Sequence, residues 1–153
     1  VIYLPLTVSF IILLLRRDQG DGQWWVLTVV VTAALIDTFG YLIGRKFGQH
    51  KMAPGVSPKK TWEGLLASIT AGVVSALAFN FFLLGGKWIT GLILASALLI
   101  AAVFGDLAES LIKRDLGVKD MSSLLPGHGG IMDRLDSILP SALVAYLISI
   151  TLF

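Results

Sequence analysis

Long uninterrupted apolar blocks limit what this chain can fold into more than any other feature of its sequence. Four blocks of 17 to 21 residues hold a single charged residue between them, Asp37, and they cover 24–44, 64–84, 88–105 and 137–153. Since a helix rises about 1.5 Å per residue, each block can cross a hydrocarbon layer about 30 Å thick. A fifth block, 1–15, is interpreted as the end of a longer span. The sequence therefore predicts an all-α, polytopic membrane helical bundle with about five transmembrane helices.

Composition excludes several other classes of protein. Hydrophobic residues make up 56% of the chain and charged residues 14%, whereas about 25% charged residues is usual in soluble domains. A net charge of +2, dispersed along the chain, argues against a nucleic-acid partner. The absence of cysteine removes disulfides, thiolate nucleophiles and cysteine-ligated metals. We interpret residues 1–153 as one integral-membrane domain, because no linker or low-complexity stretch divides the chain.

The basic residues are concentrated in two of the segments between the apolar blocks. Nine of the twelve lysines and arginines lie in 45–63 and 106–136. These segments are expected on the same side of the membrane, because the third and fourth spans form a hairpin between them. The positive-inside rule makes that side cytoplasmic. The predicted location is a multi-pass protein of a bacterial inner membrane, with two polar loops facing the cytoplasm.

The first polar loop carries a predicted helix start. Ser57 is suited to the N-cap of the third span and Pro58 to its first helical position. Lys59 and Lys60 then fall in the first turn, where the positive end of the helix dipole disfavours cations. A bound phosphate would reverse that penalty. The alternative is that both lysines only anchor the topology by reaching lipid headgroups.

The second span combines a glycine stripe with a charge. Gly40, Gly44 and Gly48 are four residues apart and predict close helix packing. Asp37 is a carboxylate inside a span, and such groups usually face the protein interior or a water-filled cavity. Two interpretations stay open: a role at or near a functional site, or a structural hydrogen bond to a polar group such as Asn80.

The second polar loop contains six of the ten acidic residues. If the fourth helix continues past Gly105, one of its faces carries Asp106, Ser110, Lys113 and Arg114. Carboxylates are ligands that suit Mg²⁺, which commonly takes one or two of them together with substrate phosphates. Nearby cations and His128, which is flanked by glycines, suit phosphate oxygens. The alternative is a solvated loop of mixed charge.

The same residues resemble a known enzyme family. One run starts at Ser110, continues through Lys113-Arg114 and Lys119-Asp120, and ends in Pro126-Gly127-His128-Gly129-Gly130-Ile131-Met132-Asp133-Arg134-Leu135-Asp136. This run resembles the signature of phosphatidate cytidylyltransferases. Every fixed position of the pattern is filled. The Ser57-Pro58-Lys59-Lys60-Thr61 run, followed by Glu63-Gly64, is similar to the upstream motif of that family.

The resemblance implies an Mg²⁺-dependent nucleotidyltransferase of phospholipid biosynthesis, which converts CTP and phosphatidate into CDP-diacylglycerol and pyrophosphate. It implies Asp106 and Asp133 as metal ligands, with Asp136 in support and a monovalent cation such as K⁺ beside Mg²⁺. Lys113 and Arg114 complete the expected catalytic set. The resemblance also implies that residues 1–153 form a single integral-membrane catalytic domain, the C-terminal part of a longer protein. The expected substrate-binding residues are Ser57, Lys59, Lys60, Thr61, Lys119, His128, Gly129, Gly130 and Arg134.

Two alternative functions stay open, and the sequence also suggests which partners to expect. A CTP-dependent lipid kinase of the dolichol-kinase type is the nearest alternative and would release CDP. An ion-coupled transporter using Asp37 is a second alternative, although it leaves the packed charges of the second loop unexplained. The expected partners are CTP, phosphatidate and membrane lipids, together with a second copy of the chain in a homodimer.

Overall fold

The computed structural model describes residues 3–17, 20–53, 57–115, 117 and 137–153. Within these ranges the chain forms five helices and one two-stranded antiparallel sheet. In chain order the elements are α1 (Tyr3–Leu15), α2 (Gly22–Phe47), β1 (Lys51–Ala53), β2 (Ser57–Thr61), α3 (Trp62–Phe82), α4 (Trp88–Asp115) and α5 (Ile138–Thr151). The predicted all-α membrane bundle is confirmed, and the short hairpin is an addition to it.

Three of the helices are long and apolar enough to cross a membrane. These are α2 with 26 residues, α3 with 21 and α4 with 28, whereas α1 and α5 are shorter apolar helices of 13 and 14 residues. At about 1.5 Å per residue, α2, α3 and α4 measure about 39, 32 and 42 Å. The chain is therefore an integral membrane protein. Helix α4 continues past Gly105 to Asp115, so the predicted extension into the second polar loop is confirmed.

A hydrophobic core forms where α1, α2, α4 and α5 meet. Leu14, Trp25, Leu94 and Ala142 are completely buried in it. The ring of Trp25 packs edge-on against Phe153, with ring centroids 4.9 Å apart. Large side chains on the outer faces remain exposed, as expected for helices that face lipid.

Helices α2 and α3 approach closely along the glycine stripe. A Cβ atom added at Gly40 would collide with Ser68 Oγ, and one added at Gly64 would lie 2.7 Å from Gly40 O. At Gly44 the nearest atom would be Thr61 Oγ1 at 3.0 Å. The predicted close packing is confirmed, because only glycine lets these backbones meet at this distance.

The predicted start of the third span is wrong. Ser57 and Pro58 lie in β2, which pairs with β1 in the register Lys51–Thr61 and Ala53–Ser57. The helix begins at Trp62 with Thr61 as its N-cap, and Thr61 Oγ1 accepts a hydrogen bond from Gly64 N at 3.2 Å. Pro58 is tolerated because each strand of a two-stranded hairpin is an edge strand. Lys59 and Lys60 therefore precede the helix and do not lie in its first turn.

Candidate functional site

A cavity of about 960 Å³ opens between α2, the hairpin, α3 and α4. We call this end of the bundle the hairpin end. Both polar and apolar groups line the cavity, and the polar ones come from segments that are far apart in sequence. The lining side chains and backbone belong to Ile36, Asp37, Thr38, Gly40, Tyr41, Leu42, Gly44, Arg45, Gly48, Lys51, Met52, Lys60, Thr61, Gly64, Leu65, Ser68, Val103 and Asp106.

An ion pair joins the two polar loops at this cavity. Lys60 Nζ lies 2.5 Å from Asp106 Oδ2, and the side chains keep 21% and 38% of their exposure. Strand β2 supplies the lysine and α4 supplies the carboxylate, which lies one residue after the buried Gly105. The partial exposure leaves both groups open to a ligand. This contact brings the first residue of the second polar segment against the first polar segment.

Asp37 lies on the same cavity wall, and its partner differs from the one considered from sequence. Ser137 Oγ donates a hydrogen bond to Asp37 Oδ2 at 2.5 Å. Asn80 instead donates to Lys87 O at 2.9 Å. The pairing with Asn80 was wrong because the two side chains lie at different depths: Asp37 is about 15 Å from the C-terminal end of α2, and Asn80 about 27 Å from the N-terminal end of α3.

Two basic residues of the cavity wall were missed by the sequence reasoning. Arg45 and Lys51 line the cavity together with Lys60. Arg45 Nη1 donates to the hydroxyl oxygen of Tyr41 at 3.0 Å. A signal was present in the spacing: Asp37, Tyr41 and Arg45 are four residues apart and so share one face of α2, beside the glycine stripe.

A second polar contact ties the hairpin to α3. His50 Nδ1 lies 2.7 Å from Glu63 Oε1, and Trp62 N donates to His50 O at 3.0 Å. These contacts connect the residue before β1 to the first turn of α3. They fix the base of the hairpin, and with it the strand that carries Lys60.

Lys113 and Arg114, two of the expected catalytic residues, lie further along α4. Lys113 Nζ is 3.4 Å from Glu109 Oε1, and Glu109 is buried. Arg114 is exposed. Neither residue belongs to the described part of the cavity wall. Their catalytic roles stay a prediction.

The remaining expected site residues divide into two groups. Thr61 lines the cavity, whereas for Ser57 and Lys59 the structure gives their place in β2. The others lie outside the described residues, and their roles stay predictions: Lys119, His128, Gly129, Gly130, Asp133, Arg134 and Asp136.

The carboxylates of the cavity match the ligand chemistry of Mg²⁺. Asp37 and Asp106 both line it and offer hard oxygen atoms, and Mg²⁺ commonly binds through one or two carboxylates together with substrate phosphates. In the part of the chain that the structure describes, no group of three or more His, Asp or Glu residues is arranged around one point. Among the described residues, Asp37 and Asp106 are the acidic side chains of the cavity wall that could serve as ligands.

Fold and site together define an integral membrane protein with a charged cavity at one end of a helical bundle. A family model described as the cytidylyltransferase family matches residues 1–152, and the chain belongs to that family. It is similar to a phosphatidate cytidylyltransferase of Mycobacterium bovis, with 43% identity over 147 residues, covering 96% of this chain and 47% of the relative.

Relatives from other lineages show the same similarity. A phosphatidate cytidylyltransferase of Haemophilus influenzae is 44% identical over 127 residues, covering 80% of this chain and 44% of the relative. The chloroplastic phosphatidate cytidylyltransferase 4 of Arabidopsis thaliana is 40% identical over 139 residues, covering 83% of this chain and 34% of the relative. The chain thus spans about half the length of the bacterial relatives, or less.

Proposed function

We propose that the full-length protein transfers the cytidylyl group of CTP to phosphatidate. A phosphate oxygen of phosphatidate attacks the α-phosphorus of CTP, the bond between that phosphorus and the bridging oxygen to the β-phosphorus breaks, and pyrophosphate leaves. The products are CDP-diacylglycerol and pyrophosphate. The observation that carries the proposal is the cavity shared by Lys60, which belongs to the upstream motif, and Asp106, one of the two carboxylates that the resemblance implies as metal ligands.

The chemistry requires two negatively charged substrates to meet, so charge neutralisation and positioning dominate catalysis. Lys60, Arg45 and Lys51 on the cavity wall supply positive charge for phosphate oxygens. Tyr41 orients the guanidinium of Arg45 through its hydroxyl group. The nucleophile comes from the lipid, so no protein nucleophile is needed, in keeping with a chain that has no cysteine.

Mg²⁺, when bound, would neutralise charge on the triphosphate and polarise it toward attack. Asp106 and Asp37 are the described residues that would hold it, and Asp133 is the further ligand expected from the signature. Asp106 is shared between this role and its ion pair with Lys60, whose ammonium group would then turn to substrate phosphate. A K⁺ ion beside Mg²⁺ and a homodimer both stay predictions.

The position of the cavity suits one water-soluble and one lipid substrate. It lies beside the C-terminal half of α2, the start of α3 and the point near Asp106 where the apolar part of α4 ends, about where such helices leave the hydrocarbon layer. The excess of lysine and arginine in the two polar loops supports a cytoplasmic orientation in a bacterial inner membrane. CTP would enter from the aqueous side and phosphatidate from the leaflet.

The test uses the full-length protein in vesicles with phosphatidate, Mg²⁺ and CTP labelled at either the α or the γ phosphate. The proposal predicts that the α label appears in CDP-diacylglycerol and the γ label in pyrophosphate. Transfer of the γ label to lipid with release of CDP would establish a lipid kinase instead. Ion flux without any use of nucleotide would establish a transporter.

A further inference from the structure

Two elements, α3 and the N-cap of α5, contact one point of α2, directly beside the cavity. Ser68 Oγ of α3 donates to Ile36 O at 2.8 Å, and Ser137 Oγ donates to Asp37 Oδ2 at 2.5 Å. Ser137 lies next to the first residue of α5 and is separated from Asp37 by 100 residues. Two consecutive residues of α2, Ile36 and Asp37, thus accept hydrogen bonds from hydroxyl groups of two different elements.

The two ends of the Ser137–Asp37 bond have different surroundings. Ser137 is completely buried, whereas Asp37 is exposed and lines the cavity. A hydroxyl group on a buried, packed backbone is a fixed donor, and a hydrogen bond to a carboxylate is stronger than one between neutral groups. The bond therefore limits the orientation of a carboxylate that lines the cavity.

Ser137 is also placed to couple the cavity to the signature motif. It is the residue directly after Asp136, the last position of the run that resembles the family signature. Its contact with Asp37 ties the chain at this point to the helix that forms one cavity wall. The residue lies outside the signature pattern. Its contact with a carboxylate of another helix distinguishes it from Ser141 and Ser149 of α5, whose hydroxyl groups donate to backbone oxygens three or four residues away.

We propose that Ser137 is a positioning residue that holds the Asp37 carboxylate toward a cation in the cavity. The proposal rests on the proposed function for the identity of that cation, which would be Mg²⁺. Ser137 itself contacts neither metal nor substrate in this role. Residues that orient a metal ligand through a hydrogen bond commonly change metal affinity or activity by about 10- to 100-fold when they are removed.

The test measures Mn²⁺ binding to the full-length protein without nucleotide, by electron paramagnetic resonance of free Mn²⁺, because Mn²⁺ accepts the same oxygen ligands. Ser137→Ala is expected to weaken binding about tenfold. Ser141→Ala is the matched control: Ser141 is equally buried in α5, but its hydroxyl donates to Ser137 O at 2.6 Å. It should leave Mn²⁺ affinity unchanged.

Several results would overturn the proposal. Equal Mn²⁺ affinities for Ser137→Ala and Ser141→Ala would do so, as would a wild-type protein that binds no Mn²⁺. In an Asp37→Ala background, Ser137→Ala should add no further loss, and a full additional loss would show that the serine does not act through Asp37. If Ser137→Ala does not purify, Ser137→Cys fills similar space with a weaker donor, and it must still reduce affinity.

A parallel assay of pyrophosphate release from CTP and phosphatidate separates this proposal from the proposed function. Loss of Mn²⁺ affinity in Ser137→Ala, with no turnover by the wild-type protein, leaves the positioning role in place and refutes the cytidylyl transfer. Turnover by the wild-type protein, with unchanged Mn²⁺ affinity in Ser137→Ala, supports the cytidylyl transfer and refutes the positioning role.

Discussion

The two ends of the bundle use polar groups in different ways. At the end where Trp25 packs on Phe153, which we call the Trp25 end, Asp21 accepts hydrogen bonds from Arg17 at 3.1 Å and from Trp25 Nε1 at 3.0 Å. These polar contacts join residues four positions apart. At the hairpin end, the ion pair of Lys60 with Asp106 and the hydrogen bond of Ser137 to Asp37 join different helices and strands.

The difference separates polar groups that stabilise a structure from polar groups that form a site. A local cluster such as the one around Asp21 sits over the buried Trp25 ring and closes the end of the helices. Long-range contacts need the whole fold in place, and at the hairpin end they surround a cavity. We therefore expect substitutions at the Trp25 end to change stability and substitutions at the hairpin end to change turnover.

The largest effect is expected for Asp106→Asn. Asparagine keeps the size of the side chain but lacks the negative charge that the proposed function uses to hold Mg²⁺. The substitution should therefore lower kcat by at least about a hundredfold. Pyrophosphate release by the full-length protein measures it. Asp21→Asn at the Trp25 end is the matched control and should keep nearly normal kcat. Near-normal turnover by Asp106→Asn would end the assignment of this carboxylate to the site.

Lys60→Ala should have the next largest effect on turnover. The cavity would lose the cation that pairs with Asp106 and that the proposed function assigns to substrate phosphates. KM should therefore rise about tenfold, in line with the worth of a charged hydrogen bond. Steady-state kinetics measure this change. Lys87→Ala, an exposed lysine between α3 and α4, is the control and should leave KM unchanged. Equal KM values for both variants would show that Lys60 is only a topology anchor.

Gly40→Ala should change stability and turnover together, because the stripe both packs α2 on α3 and borders the cavity. The added methyl group would collide with Ser68 Oγ, and overpacking of this kind costs about 1–3 kcal/mol. Thermal unfolding in detergent measures the cost. Gly44→Ala should be milder, since its nearest contact is 3.0 Å. A smaller loss for Gly40→Ala than for Gly44→Ala would contradict the packing described.

Trp25→Phe should have the smallest effect and only on stability. It removes the Nε1 donor to Asp21 while keeping an aromatic ring against Phe153, at a cost of about 1 kcal/mol. Unfolding and pyrophosphate release are measured on the same preparation. A lower kcat at unchanged stability would mean that the Trp25 end is not purely structural.

Sequence reasoning predicted the helices well and their polar contacts less well. Continuous apolar blocks specify membrane helices directly, because the backbone must satisfy its hydrogen bonds within the segment. The start of α3 was misplaced because Ser57-Pro58 has the local signature of a helix start, while pairing with β1 draws the chain into an extended form. Local propensity yields to tertiary pairing at this point.

The sequence motifs indicated some of the residues that line the cavity, but not all of them. Lys60, Thr61 and Asp106 were expected and do share the cavity. Arg45 was missed because Arg45 and Lys46 follow the predicted span 24–44 and were counted as a topology signal, whereas α2 continues to Phe47 and carries Arg45 on the same face as Asp37. The Ser137 contact depends on how α5 docks against α2, which no local pattern specifies.

The contact between β2 and α4 at the cavity, made by Lys60 and Asp106, is tested most directly by cross-linking in membranes. Cysteines replace Lys60 and Asp106 in a full-length protein freed of any other cysteine, and a short bifunctional maleimide is added. A control pair replaces Lys87 and Asp106, which lie beyond opposite ends of the long apolar part of α4. The account predicts efficient cross-linking of the 60–106 pair and none of the 87–106 pair. Absence of the 60–106 cross-link in folded protein would contradict it.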